Sequence, residues 1–572
     1  MSTSEAQAHA EDLMNESFGI GLHEYRTTST APFPRAYVSD ALRIVRNSGA
    51  AEKLAVWRIE DGVEPRGRKT YIPAEAALVV MLMHVRGGSG LLFSEMSHTL
   101  ANRLSAADLQ LIGIPVRSGT QQEWYDRLWR SVDRLLKLVD PLPGPRRKLL
   151  KDGAYRAVLE GRDPNESAKK QLRLDFLCNQ LIQGSVDLMP RAYRRKYQGN
   201  VAFDATFYAL HGKEGNPSTK CIDEDRRSTN YDGGWYRRGG NHNGEEGGAR
   251  EKLEWGLELE TATMTANKPG EKADFPLLTI AVGSHRPGKI KLAGKRMFES
   301  IQARGYPTAF VFGDTAYLPG AIDEELQGQL LKMGYTAVFD YGKDDLGQKA
   351  VYDHAIQVVG QWYVNLMPKA LVNAETLYLS APRRTDEEKG NARELLKERR
   401  SQREIYRLKP KGVRRPDWSQ QYMYPDPDAY VAYDELTGEI LPPLDKRTVV
   451  IPYKQGLKYG QKFVFKSAKW KGWYGLRSTV EGSYSHVKNT ETEALGNPAN
   501  RRKRGNTFAY LAATLAVASA NVRKLLAFIH QLGSAVPVTS KNSKSGYAQP
   551  TARNSVFESS TEQDKFEPPE LE

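Results

Sequence analysis

The sequence predicts an α/β protein: a mixed sheet flanked by helices, preceded by a mainly helical region and interrupted by a β-rich insertion. Three observations predict this. Short runs of β-branched and aromatic residues begin near residue 200 and read as strands. Apolar runs of helical period stand before, between and after them. The run TAFVFGDTAY does not alternate, which suggests a central strand covered on both faces. Strands and helices in this order outline an α/β layer architecture.

Residues 1–195 read as mainly helical. Pro73 opens the apolar run AEAALVVMLMHVR, with proline near the first turn of a buried helix. Phe93–Ile112 and Gln121–Val139 read as further helices, the second with Trp124, Leu128, Val132 and Leu135 at helical spacing. Basic clusters punctuate the region: Arg66, Arg68 and Lys69; Arg146, Arg147 and Lys148; Arg194, Arg195 and Lys196. Such clusters suit duplex-backbone binding and equally suit solvated helix faces.

Residues 196–345 form the first part of the predicted core. NVAFDATFYAL reads as its first strand. The polar stretch Gly212–Arg250 reads as a loop or insertion, and its Trp235, Tyr236, Arg237 and Arg238 suit nucleic-acid contact or a self-packed surface loop. WGLELETATMTA and FPLLTIAVGS follow as strands, Lys291–Arg304 as an amphipathic helix, TAFVFGDTAY as the fourth strand, Gly320–Met333 as a helix and TAVFDYG as the fifth strand. Residues 346–470 read as a β-rich insertion carrying a dense basic run at 383–415, part of which fits a charged helix. Residues 471–532 return to the core and end in a long apolar helix that is expected to pack against the sheet. Residues 533–572 are polar and expected to be disordered.

A net charge of +13 over 572 residues and a pI near 9.3 point to a polyanionic partner, nucleic acid first. Cys178 and Cys221 form no C-x-x-C pair, which argues against a disulfide framework or thiolate zinc site. The N-terminal residues lack the basic and apolar regions of a secretion signal. The most apolar run, Phe508–Ala520, is shorter than the ~20 residues of a spanning helix. The expectation is a cytoplasmic protein associated with DNA rather than with a membrane.

Chemistry concentrates in Trp473–Asn489, WYGLRSTVEGSYSHVKN. On one helix, taking Glu481 as zero, Tyr474 lies near about +20°, Arg477 near about −40° and Lys488 near about −20°. As a mere surface, this stripe holds one i, i+4 Arg–Glu pair worth ~0.2–0.5 kcal/mol. Two upstream acids change its meaning: Asp204 follows the apolar residues of the first strand, and Asp314 ends the fourth. Three carboxylates at one sheet edge would suit Mg²⁺ or Mn²⁺. Two such ions about 4 Å apart can drive in-line attack on a phosphodiester. His242, His285 and His486 share no ligand spacing.

This arrangement resembles the DDE transposases of the RNase H-like superfamily, above all the bacterial cut-and-paste branch encoded by insertion sequences. That branch carries Y-x2-R-x3-E-x6-K, matched by Tyr474, Arg477, Glu481 and Lys488. Its first acid ends the first core strand, as Asp204 does in VAFDAT, and its second lies in G-D-x-x-Y, as Asp314 does with Tyr317 following. The branch also has a β-rich insertion between its second aspartate and its glutamate. The resemblance covers roughly residues 196–532 and leaves the N-terminal third unmatched by any motif. It implies an RNase H-like core in which Asp204, Asp314 and Glu481 are catalytic and hold two Mg²⁺ or Mn²⁺ ions. It implies cleavage at terminal inverted repeats and joining of the freed 3′-OH to target DNA, by a homodimer pairing two ends. Tyr474, Arg477 and Lys488 would contact phosphates. Members also flip a base onto a tryptophan, for which Trp362, Trp418, Trp470 and Trp473 are candidates and none is assigned. An RNase H-like nuclease without strand transfer and a catalytically silent DNA-binding descendant are the alternatives.

Overall fold

The computed structural model describes Ala8, Asp12 and the residues between 31 and 533, apart from 63–71, 117–118, 147–149, 151, 213–227, 239–251, 316, 319–325, 383 and 435. The cluster Arg66, Arg68 and Lys69, the pair Arg147 and Lys148, Cys221, His242 and the tail 533–572, Gly533 excepted, therefore lie outside the described residues.

Among the described residues, eight helices build the first region: α1 (Arg35–Asn47), α2 (Ala50–Glu60), α3 (Ala74–Arg86), α4 (Phe93–His98), α5 (Ala106–Leu111), α6 (Gln121–Val139), α7 (Asp152–Glu160) and α8 (Pro164–Val186). As its all-round apolar sequence requires, α3 is buried continuously from Ala76 to Val85. The expected single helix over Phe93–Ile112 is instead broken. A wide turn at Thr99–Arg103 ends α4, and Ser105 then caps α5 by accepting from the Asp108 amide at 3.1 Å while Asp108 accepts from the Ser105 amide. That reciprocal cap starts a new helix where the periodicity suggested a continuous one. In α6 the residues Trp124, Leu128, Val132 and Leu135 are buried, as their spacing predicts. Arg146 is spent inside the fold on Asp232 and Asp140, and Arg194 pairs with Asp187. These two arginines are structural.

After a short helix α9 (Arg191–Arg194) the chain enters a mixed sheet of β1 (Val201–Ala209), β2 (Gly234–Arg238), β3 (Lys252–Met264), β4 (Thr279–His285), β5 (Phe310–Phe312) and β6 (Thr336–Val338). The order is β2-β3-β1-β5-β6, with β4 also on β3. β1 runs antiparallel to β3 over its whole length and parallel to β5 only at Val201 and Ala202. The stretch expected to be loop around Trp235 and Tyr236 is strand β2, whose Trp235 packs edge-on against Trp255 at 5.3 Å. A second tryptophan in register across the ladder turns an apparent loop into sheet. Helix α10 (Ile290–Ala303) links β4 to β5, and α11 (Gln327–Lys332) leads into β6.

The free edge of β4 is closed by two buried asparagines. Asn179 of α8 accepts from the Val282 amide and donates to the Val282 carbonyl, both at 3.0 Å. Asn521 does the same for Thr279 at 2.9 and 2.8 Å. Each carboxamide supplies the donor and acceptor that a neighbouring strand would offer.

The insertion holds two three-stranded antiparallel sheets among its described residues. One comprises β7 (Gln348–Tyr352), β8 (Ala355–Val358) and β9 (Gln361–Val364). Between the sheets lie α12 (Lys369–Val372), α13 (Ala374–Ser380) and α14 (Asp386–Gln402), then come β10 (Lys409–Pro410), β11 (Gln420–Met423) and β12 (Thr448–Ile451). The basic run is thus largely the charged helix α14, capped reciprocally by Thr385 and Glu388. The core resumes with α15 (Ala468–Gly475), α16 (Ser478–Lys488) and α17 (Asn506–Gly533). The last is apolar and long enough to cross a membrane by composition, but 67 % of its most apolar window is buried within the fold. It packs on α8 and the sheet, and its Tyr510 hydroxyl donates to the Val282 carbonyl at 3.0 Å. One hydrophobic cluster runs from α1 through α8 to α17 and β3; a second joins the sheet's other face to the insertion.

Candidate active site

The two acidic strand residues come to the site by different routes. Asp204 is the fourth residue of β1, whose strand continues to Ala209 along β3. It therefore does not end the strand, as the resemblance implies; it lies just past the point where parallel pairing to β5 stops at Ala202. Asp314 lies two residues beyond β5, and its Oδ1 accepts from the Thr315 amide at 2.7 Å. Adjacent parallel strands thus deliver both carboxylates to one edge.

Helix α16 brings the third. Its buried face is Val480, Ser483, Tyr484 and Val487, the i, i+3, i+4, i+7 pattern of a helix laid on a sheet. Tyr484 fixes its height: the hydroxyl donates to the Asp204 carbonyl and accepts from Thr261 Oγ1, the latter at 3.1 Å. Thr261 stands opposite Asp204 in the β1–β3 register. One phenol therefore ties α16 to both strands beside the acid. Glu481, one turn earlier, remains exposed.

The stripe of four residues is not carried by one continuous helix. α15 ends at Gly475, Leu476 and Arg477 form a tight turn, and α16 begins at Ser478. The Leu476 and Arg477 amides bond three residues back, to Trp473 and Tyr474. Tyr474 consequently belongs to the preceding helix, where its ring stacks on Trp470 at 4.7 Å. Arg477 sits at the junction, its side chain 16 % exposed. Lys488 is the last residue of α16, two turns beyond Glu481.

At this junction the Arg477 guanidinium gathers all three acids. Nη2 donates to Asp204 Oδ2 at 2.9 Å and lies 3.8 Å from Asp314 Oδ2, while Nη1 donates to Glu481 Oε1 at 2.7 Å. Its Nε is buried without a hydrogen-bond partner. One cation facing three carboxylates leaves the site short of positive charge. Burial, opposed by Arg477 and reinforced by Asp314 and Glu481, pushes the Asp204 carboxyl up to about 6. Arg477 moves the other way from what burial alone would do: Asp204, Tyr474, Asp314 and Glu481 together hold it more firmly protonated than a free arginine. Burial keeps the Tyr474 phenol neutral well above its ordinary range.

Carboxylate oxygens are the ligand type a hard divalent cation takes, and here three from separate segments converge on the Arg477 guanidinium. Among the described residues no group of three or more His, Cys, Asp or Glu side chains is placed to hold a metal ion, and Arg477 lies among Asp204, Asp314 and Glu481. Of the tryptophans singled out from sequence, Trp362 and Trp470 are buried, and Trp473 lies against Phe310 at 4.4 Å. Trp418 sits on the turn before β11 in the left-handed region, φ +66°. Sequence reasoning missed Tyr484 and Thr261. Tyr484 was open to detection, being on the apolar face one turn from Glu481; Thr261 was not, since its part depends on sheet register.

Comparison with protein-family models, with curated proteins and with solved structures gave no match.

Proposed function

We propose that this chain is a metal-dependent DNA transposase of the DDE type, built on an RNase H-like core, that cleaves at element ends and joins them to target DNA. The observation that carries this reading is the convergence of Asp204, Asp314 and Glu481 on Arg477. Two divalent ions bound by these carboxylates would supply an activated water and stabilise the leaving oxygen of an in-line displacement. The chain's own residues do the rest. Asp204 must be ionised to bind a cation, and its raised pKa makes that step costly below about pH 6. Arg477, once the acids have another counter-charge, is free to grip a phosphate through its planar fork, with Nε as a donor not yet committed. Tyr474 stands beside Arg477, and Lys488, at the far end of α16, would meet the same strand farther along. The net charge of +13 supports a polyanionic substrate, and a homodimer pairing two ends completes the proposal.

The test sequences the DNA on both sides of the coding region and uses duplexes carrying any inverted repeats found there. With Mg²⁺ or Mn²⁺ the full chain nicks them at the element end, and a pre-cleaved end is joined to a second duplex. Asp314→Ala lowers both steps by at least about a thousandfold, the scale on which electrostatic transition-state stabilisers act. Cleavage that persists in Asp314→Ala would sink the assignment; cleavage without joining would leave a nuclease.

A further inference from the structure

The cleft beside the acid cluster is strongly basic. It has a volume of about 980 Å³ and runs between α14 and the segment 462–475, reaching Tyr474 at the edge of the site. Eight lysines and arginines line it against three carboxylates. The three acids are already paired within the fold: Glu375 with Arg400, Asp340 with Lys466 and Glu404 with Arg407. Lys397 on α14 and Lys462 and Lys471 on the facing wall are exposed and have no carboxylate partner among the described residues. Phe463, Phe465 and Trp470 lie buried beneath its floor, and the half-buried rings of Tyr378 and Tyr474 reach its surface. Lysines without carboxylate partners beside half-buried tyrosine rings are the chemistry of a groove for an unpaired polynucleotide strand, whose bases are free to stack as those of a duplex are not.

We infer that this cleft binds a single DNA strand leading away from the acid cluster, with Lys397, Lys462 and Lys471 on its phosphates. The inference rests on the transposase reading only for the strand's origin, as the unpaired flank of the cleaved end. The helical part of the insertion thereby acquires a role, since α14 forms the outer wall and completes a channel that the core alone leaves open.

The test is fluorescence anisotropy of the full chain in EDTA, with oligothymidylate of about 16 nucleotides, the upper end of single-strand site sizes, and a blunt duplex of equal length. The triple variant Lys397→Ala/Lys462→Ala/Lys471→Ala is expected to bind oligothymidylate at least about tenfold more weakly. Its salt slope should fall by about 2, at roughly 0.7 per lost single-strand contact. Blunt-duplex affinity should change less than about twofold, and the Lys→Arg triple variant should keep wild-type binding, which separates charge from folding. Unchanged oligothymidylate binding, or equal loss on both probes, overturns the inference. Groove-dependent strand binding without metal-dependent cleavage keeps the groove and removes the transposase reading; cleavage without groove-dependent binding does the reverse.

Discussion

At the scale of single residues, Asp204 makes the sharpest prediction. Its carboxyl stands at about 6 in the folded chain against an ordinary 3.8. The folded chain therefore holds a proton that the unfolded chain has released, so this group's contribution to stability is lost as pH rises through that window. Without divalent ions, Asp204→Asn should gain on the wild type between about pH 4 and 7, by up to about 3 kcal/mol for a shift of two units. Urea unfolding at both pH values measures it, and a pH-independent difference would refute the rise that burial, reinforced by Asp314 and Glu481, imposes on Asp204. The acids themselves were legible in sequence, because each follows an apolar strand run or stands at fixed spacing from an arginine and a tyrosine. Arg477 as their common partner was not: on the helical wheel it is a neighbour of Glu481 alone, and its contacts to Asp204 and Asp314 exist only once strands and helix have met.

At the scale of elements, two buried polar devices hold the architecture. The first is the pair of asparagines along β4. Asn179→Leu should cost about 2–4 kcal/mol, since it strands the Val282 amide at a buried edge and removes a second bond to its carbonyl. Thermal unfolding reads this directly, and a cost below about 1 kcal/mol would show that the edge finds other partners. The second lies in the insertion, where Arg403 donates to Glu375 Oε1 at 2.9 Å with both side chains 3 % exposed. Burial alone would raise the Glu375 carboxyl; Arg403 and Arg400 outweigh it and hold the group below its usual value. The sign follows: this stabilisation is complete above about pH 4.5 and is lost as pH falls through the lower folded value. Arg403→Met should destabilise by roughly 3 kcal/mol, the lower end for breaking a buried ion pair, because the carboxylate keeps only Arg400. In contrast to wild type, the variant should lose little further stability on acidification. The strands, α3, α6 and α17 were readable because their apolar period is strong. The breaks at Thr99–Arg103 and at Leu476–Arg477 were not, because each is set by a local cap or turn inside an unbroken periodic run. The asparagines were invisible because nothing in an apolar helix marks which polar residue meets a strand edge.

At the scale of the whole molecule, the layers share cores in a way the linear order hides. The N-terminal helices bury their apolar faces with α17 from the far end of the core, and the insertion's strands share the second cluster with β5 and β6. Charge patterning and helix content announced the first region's composition but not this partnership, since periodicity shows that a face is apolar without showing what covers it. The pairing of Arg477 with Asp204 spans 273 residues of sequence. A chain growing from a ribosome at about 5–20 residues per second folds its early segments first. It therefore exposes β1 and its aspartate well before Arg477 and Glu481 emerge. Until then the acid edge has neither its counter-ion nor its third carboxylate, and the long loop between must close before either arrives. A nascent or truncated chain thus lacks the assembled acid cluster, which is completed only when the last core helices dock.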